Sequence, residues 1–316
     1  MYGTGSVLNI ITITNGDVES IALNIHVSSN ISKYHQLGAR HTHEPSDYTY
    51  RNKNSLIALA NHFANLSEPV ILERIHADSL TIPTLRAGFK YKGIVIAHKM
   101  GSCPYIKLDP GFDSVNHVLP KHLISDLRRA RRKADKLGKV TFSIYSPKTQ
   151  QEFLPIYNQF IDIEASSWKS KAGTALKQNP QQKEFYRQYG IRAAEQGILR
   201  VSEMYIDDEI VAIQYAVEWG EKFWLLKIGF NEKYAKCSPG MLLMQETLTY
   251  AMNNNLKSYE FLGSSETWTR RWTQTEWQTV RVEAYPFSIK GMLAFSYKVM
   301  LYGLNKTSTL FKTRHA

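Results

Sequence analysis

Apolar and polar residues alternate through three consecutive runs between Ile198 and Phe230: ILRVSEMYI, EIVAIQYAVEW and KFWLLKIGF. The pairs Asp207-Asp208 and Gly220-Glu221 separate them. Alternation puts the apolar side chains of each run on one face, and the turn-forming pairs fold each run back on the last. The pattern therefore predicts three antiparallel strands. After NEKYAKCSPG, a loop rich in small residues, the period lengthens: Met241, Leu242, Met244, Leu248, Ala251 and Met252 recur at helical spacing. SYEFLG then returns the chain as a short apolar strand.

The beginning of the chain has the same order. Val7 to Ile13 and Val18 to Val27 read as strands joined at Asn15-Gly16, with a third from Tyr34 to Gly38. Ser55 to Leu66 is an amphipathic helix with Leu56, Leu59, Ala60 and Phe63 on one face and a Ser at its start. Pro69 ends it, and Val70 to Ile75 is a strand. Corresponding elements stand about 190 residues apart, which predicts an internal duplication. The first half starts directly at a strand, without the helices that precede Leu199 in the second.

Between the halves, Phe89 to His98, Cys103 to Leu108 and Val140 to Tyr145 read as strands. Helices are expected up to Gly138, from Gln151 to Glu164 and from Phe185 to Gly197. A late strand spans Gln278 to Pro286. The apolar, Tyr-rich helix from Lys290 to Phe311 is expected to dock on the protein rather than on a membrane surface. The fold class expected is α/β with a mixed sheet, in two halves with domains at 1–118 and 119–316.

Composition supports two packed cores: 316 residues, 43% hydrophobic and 12% aromatic, exclude a disordered chain. Two cysteines without metal-type or disulfide spacing fit a reducing compartment. The start lacks a signal-peptide pattern, and no apolar run reaches the ~20 residues of a membrane span. A cytoplasmic protein without a transmembrane segment is expected. The net charge of +11 favours anionic partners. Over half of that excess lies between Lys121 and Lys139, where eight Lys or Arg face two Asp. An anionic polymer could bind there. A helix with Leu123, Leu127, Ala130, Ala134 and Leu137 buried and a charged face in water is favoured. His41, His43, Glu44 and Asp47 suggest a metal only weakly, because no second ligand cluster matches their spacing; no metal is expected.

The candidate chemistry centres on Ser238-Pro239-Gly240 at a helix start. Ser can cap, Pro has no N–H to leave unpaired, and Gly admits close approach. Free N–H groups and the helix dipole make such a start an anion site, to which Lys233 and Lys236 add charge; an ordinary capped helix is the plainer alternative.

Lys227-Ile228-Gly229-Phe230, Tyr234-Ala235, Ser238-Pro239-Gly240-Met241-Leu242-Leu243, Phe261-Leu262-Gly263 and Thr269-Arg270-Arg271-Trp272 together resemble one branch of the GNAT acyltransferases. That branch is the BcsL/CelD-type family associated with cellulose and exopolysaccharide biosynthesis, and the resemblance is best from about Leu123 to Trp272. It implies tandem GNAT-like halves, the first one trimmed. It also implies an acyl-CoA donor, acetyl-CoA or another, and a sugar or amine acceptor that attacks directly. The donor pyrophosphate would lie on Lys236, Ser238, Pro239, Gly240, Met241 and Leu242. A backbone N–H at Ile228 or Gly229 would polarise the thioester carbonyl. Trp168, Lys169, Lys227 and Arg270 would face the acceptor, and Glu266 would take its proton if partly buried.

Only the last glycine of the common GNAT phosphate loop is matched; Ala235 and Ser238 stand at its other two places. Cys237 is read as incidental, and no general acid is assigned. Two alternatives stay open: a Fem-type transferase using aminoacyl-tRNA, and a non-catalytic GNAT-like binding protein.

Overall fold

The computed structural model describes residues 6–28, 31–38, 44–109, 111, 114–167 and 173–312, with side chains described up to Tyr302. The chain divides into two compact units, Met1–Ser102 with Trp277–Ala316, and Cys103–Glu276.

The first unit opens with a hairpin of β1 (Ser6–Asn15) and β2 (Val18–Val27), closed by Gly16-Asp17 with Gly16 at φ +58. The turn thus falls one residue later than expected. β3 (Lys33–Gln36) and β4 (Thr49–Tyr50) each pair antiparallel with β2. In α1 (Lys53–Ala64) the predicted face, Leu56, Leu59, Ala60 and Phe63, is buried. Its cap is not the expected Ser: the Asn52 side chain accepts from the Ser55 N–H. β5 (Val70–His76) runs parallel to β3.

Next comes a helix that the pattern did not show, α2 (Thr81–Gly88). Pro83 and Gly88 make its eight residues read as loop. The Asp47 carboxylate, remote in sequence, accepts bonds from Ser79 and from Thr81 (2.7 Å) and fixes its start. β6 (Gly93–Lys107) is one strand where two were expected, because Gly101-Ser102 stays extended.

The second unit contains α3 (Lys121–Asp135), β7 (Val140–Tyr145), α4 (Gln150–Ala165) and α5 (Pro180–Glu195). α5 begins earlier than expected, at Pro180, with Asn179 as its cap, a start signal that the apolar pattern alone passes over. β8 (Leu199–Ile206), β9 (Glu209–Trp219) and β10 (Lys222–Phe230) form the predicted antiparallel meander. α6 (Pro239–Asn253), β11 (Ser258–Glu260) and the short α7 (Thr267–Arg270) follow.

The sheet order of this unit is β7-β8-β9-β10-β11, then the Tyr105–Lys107 end of β6. β11 is parallel to β10, and its other neighbour is antiparallel. One face is covered by α3 and α6, whose Leu123, Leu127, Leu243 and Leu248 share a core with Phe223 and Tyr259. The other is covered by α4 and α5, through Phe153, Phe160 and Tyr186 against Val201, Ile213 and Tyr215. Leu137, expected in the buried stripe of α3, is exposed, since the helix ends at Asp135.

The chain then returns to the first unit as β12 (Glu276–Pro286) and α8 (Ile289–Lys312). β12 pairs antiparallel with β5. Its Val282 and Ala284 join the core with α1. The alternate residues Glu283 and Tyr285 meet α8: Glu283 pairs with Lys298, and the Tyr285 and Phe295 rings lie 5.4 Å apart. So α8 covers the sheet face that in the second unit carries α4 and α5. The last strand and helix therefore fall with the first compact unit, whereas a division at residue 118 would place them in the second.

The duplication is visible in the backbone. Each unit has a meander, a helix and a strand parallel to the meander's last. The pairs Tyr34↔Val70 and Phe223↔Tyr259, the helix caps Asn65 and Asn254, and the positive-φ residues Arg74 and Gly263 recur at one constant offset, about 190 residues.

Phe223 is fully buried and stacks on Tyr259 at 4.9 Å. Phe223→Ala is expected to lower the unfolding free energy by about 3–5 kcal/mol, read as a shifted urea midpoint.

Candidate active site

The parallel ladder between β10 and β11 covers only Lys222–Trp224 against Ser258–Glu260, while β10 runs on to Phe230. Beyond Glu260 the chain turns away through Leu262 and Gly263, both at positive φ. A parted parallel pair at the carboxyl ends of its strands is where open α/β sheets take ligands.

β10 is irregular there. Its register against β9 shifts between Leu225 and Lys227, which is a β-bulge at Leu226. The bulge interrupts the alternation of side chains. Phe223, Leu225, Ile228 and Phe230 face the α3–α6 layer. Trp224 and Leu226 face the α4–α5 layer, and so do Lys227, over the Tyr186 ring at 4.9 Å, and Gly229. A Cβ at Gly229 would lie 2.6 Å from Glu164 Cα, so only glycine lets the end of α4 pack here.

On the opposite face, Ile228 and Phe230 meet the start of α6. Ser238 caps this helix in the left-handed conformation (φ +50), but its side chain makes no capping bond, contrary to expectation. Instead its carbonyl accepts from the Met241 and Leu242 N–H groups at 3.0 and 3.3 Å. Leu242 is buried in the core and Met241 packs against it. Pro239 has no N–H. That leaves Gly240: its N–H donates to no group among the described residues, and it points along the helix axis as first-turn donors do. A Cβ at Gly240 would meet only Ile228 Cδ1 at 3.5 Å and Phe230 Cδ1 at 3.6 Å, ordinary contacts. Packing within the protein therefore does not require this glycine.

The segment before α6 is a 3-10 turn, Glu232–Cys237, rather than an irregular loop. Glu209 anchors it by accepting from Tyr234 Oη at 2.6 Å and Asn231 Nδ2 at 3.2 Å. Lys233 also pairs with Glu209, whereas Lys236 is exposed, with no ion-pair partner among the described residues. The buried Cys237 thiol donates to the Tyr234 carbonyl at 3.1 Å, and burial pushes its pKa up. Lys133 of α3 stands close enough to oppose that shift. Part of the basic charge of α3 therefore lies beside the start of α6, which sequence spacing could not reveal.

Other predicted groups stand apart. Glu266 is exposed, so the expected burial is absent; it caps α7 and accepts from Trp268 Nε1 at 2.9 Å. Arg270 bonds to Ser265, and Arg271 pairs with Asp126 of α3 at 2.8 Å. Trp168 and Lys169, with His41 and His43, lie outside the described residues. Among the described residues no group of His, Cys, Asp or Glu is placed to hold a metal.

Among the buried carboxylates that went unnoticed in the sequence, Glu203 and Glu260 are each an acidic residue within an apolar strand of this unit. Glu260, at the closed end of the parted pair, accepts from Lys222 Nζ at 3.1 Å and Ser258 Oγ at 2.6 Å. Glu203 of β8 accepts from Tyr205 Oη, which lies 3.2 Å from Tyr145 Oη. Burial raises its pKa, and its Tyr205 bond only partly offsets this.

Comparison with known proteins agrees with this geometry. Residues 121–270 match the family model described as "Acetyltransferase (GNAT) domain". No curated protein is significantly similar to the chain. Among solved structures, the C-terminal DUF2156 domain of a candidate lysylphosphatidylglycerol synthetase from Agrobacterium fabrum superposes with a TM-score of 0.57 at 9% identity, over 93% of this chain and 88% of that one. A conserved protein of unknown function from Bacteroides thetaiotaomicron gives 0.56 at 11% identity, over 86% and 84%. A tandem GNAT protein from the clavulanic acid biosynthesis pathway gives 0.46 at 9%, over 89% and 84%. Residues 121–270 are thus similar to a GNAT acetyltransferase domain, within a mixed α/β fold whose two halves repeat one order of elements.

Gly229→Ala forces a backbone shift between β10 and α4. It is expected to cost about 1–3 kcal/mol of stability, checked by denaturant unfolding. The raised pKa of Glu203 means that the folded state holds its proton more tightly than the unfolded state. Its contribution is complete below the ordinary carboxylate pKa and is lost as pH rises through the folded value. Relative to wild type, Glu203→Gln should therefore gain stability on going from about pH 4 to pH 7, measured as unfolding midpoints across that range.

Proposed function

We propose that the protein transfers an acyl group, acetyl in the first instance, from acyl-CoA to an amine or hydroxyl of a sugar-related acceptor, as the BcsL/CelD-type enzymes it resembles do. The observation that carries this reading is the open Gly240 turn at the start of α6, set against the bulged strand β10. The Gly240 N–H, the dipole of α6 and the Ser238 hydroxyl would hold the donor pyrophosphate, with Lys236 and Lys133 adding positive charge. The pantetheine would follow β10 beyond Trp224. A backbone N–H at Ile228 or Gly229 would stabilise the oxyanion formed at the thioester carbonyl.

The acceptor would enter from the opposite face of the strand, toward Lys227 and Tyr186, and Trp168 and Lys169 are proposed to contact it. Direct attack needs no enzyme nucleophile, so positioning supplies most of the rate. Glu266, beyond β11, is kept as the proposed proton acceptor by its place in the resemblance alone, since the partial burial expected for that role is absent. Two free cysteines fit action in the cytoplasm, and no helix among the described residues is long and apolar enough to cross a membrane.

The first unit is proposed to be structural. Where the second unit has Gly263, it has Arg74, buried and at positive φ. Beside it Arg281 binds Glu73 at 2.8 Å and Glu283 at 2.7 Å, filling that sheet face with ion pairs.

Calorimetric titration with acetyl-CoA and desulfo-CoA tests the reading. Dissociation constants on the order of micromolar are expected, weakened at least ~10-fold in Gly240→Asp. Absence of binding, with salt-sensitive binding of tRNA in its place, would sink the acyl-CoA reading and favour aminoacyl transfer.

A further inference from the structure

We propose that the first unit carries a docking surface for an anionic lipid bilayer, formed by the outer face of α8 and the turn Lys90-Tyr91-Lys92. The helix has two unlike faces. Its inner face is engaged: Ala294 is buried, Phe295 meets Tyr285, Lys298 pairs with Glu283, and Lys290 pairs with Glu68 at 2.6 Å. The helix thus docks on the protein as expected, but by one face; its outer face carries a row of exposed apolar side chains. Ile289, Leu293, Tyr297 and Met300 follow one another at spacings of four, four and three residues, which lines them up along the helix. They are exposed at 83%, 62%, 48% and 53%. Side chains of this size seldom stand in a row in water without a partner.

A second element extends the patch. The Phe287 N–H, just before the helix, donates to the Lys92 carbonyl at 2.7 Å, so the turn after α2 lies at the same end. There Tyr91 is 86% exposed, and Phe287 is also exposed. Tyr91 holds φ +64, a left-handed conformation costly for a residue with a Cβ, and Lys90 Nζ sits over its ring at 5.1 Å. Aromatic tips flanked by lysines suit the bilayer interface, where the ring meets the acyl boundary and the ammonium meets headgroup phosphate.

Charge selects the occupant. Lys290 and Lys298 are paired inward with Glu68 and Glu283, but the sequence after them adds Lys306, Lys312 and Arg314 and no Asp or Glu, and Lys90 and Lys92 flank Tyr91 at the turn. A second copy laid along the same stripe would set cationic helix against cationic helix. An anionic lipid surface is complementary to both the charge and the apolar row. The helix lies on such a surface rather than across it, since it is not apolar enough to span.

The test is flotation of the whole protein with vesicles of phosphatidylcholine containing about 30% phosphatidylglycerol, and with phosphatidylcholine alone. Binding to the anionic vesicles is expected, roughly tenfold stronger than to the neutral ones, and weakened by salt. The double variant Leu293→Asp/Met300→Asp, both exposed, should keep the wild-type unfolding midpoint and lose at least ~10-fold in vesicle binding. Tyr91→Ser should lose part of it. No binding to either vesicle overturns the proposal, as does binding that the double variant retains. A dimer in solution that the double variant abolishes would assign the face to a second copy instead.

Discussion

The contact on which the second unit depends is the close approach of α4 to β10 at Gly229. Glu164 Cα sits where a side chain would stand, so the helix end presses on the strand backbone. The bulge at Leu226, a few residues before, is the complement of that approach. It sets Leu226 and Lys227 on one face together and returns Ile228 to the other. One strand thereby presents different chemistry on its two sides: an apolar edge toward the open helix start at Gly240, and a cation toward Tyr186. A regular strand would put these groups one register out, and the parted pair with β11 would lose its two-sided character.

The same architecture occurs twice, with opposite outcomes. In the second unit the strand after the parted pair leaves through Leu262 and Gly263, both at positive φ, with the glycine free of the cost that a side chain meets there. In the first, Arg74 takes the corresponding left-handed position despite its side chain, and Glu73, Arg281 and Glu283 occupy the neighbouring sheet face. A buried network of this kind is costly to break and leaves little room for a ligand. The helices that cover this face in the second unit, α4 and α5, precede their meander in sequence. In the first unit α8 covers it, arriving from the far end of the chain. That is why the first half read as trimmed.

The three-strand meander, its two tight turns and the helix from Pro239 were legible because each rests on local chemistry. Period-two alternation and Gly220-Glu221 at positive φ define the hairpin, and an apolar stripe defines α6. The start of α6 at Pro239 was legible for a sound reason, since Ser-Pro-Gly marks a helix start. The capping role given to Ser238 was not, because its left-handed backbone carries its carbonyl, rather than its hydroxyl, toward the first-turn donors. α2 was missed because its start is held by Asp47 from across the unit. β6 was divided because Gly101-Ser102 looks like a turn when its neighbours are unknown.

By itself the sequence determined which segments are strands and helices, the repetition of their order, the excess of positive charge and the position of the open helix start. All of these follow from interactions between residues near each other along the chain. Only the tertiary structure decided that β12 and α8 complete the first unit, that Glu266 lies in solvent while Glu203 and Glu260 are buried, and that Lys133 stands beside Cys237. It also decided that one face of α8 is left uncovered. Burial and proximity are set by which surfaces meet when distant segments pack, and an amphipathic pattern records that a face is apolar without recording what will cover it.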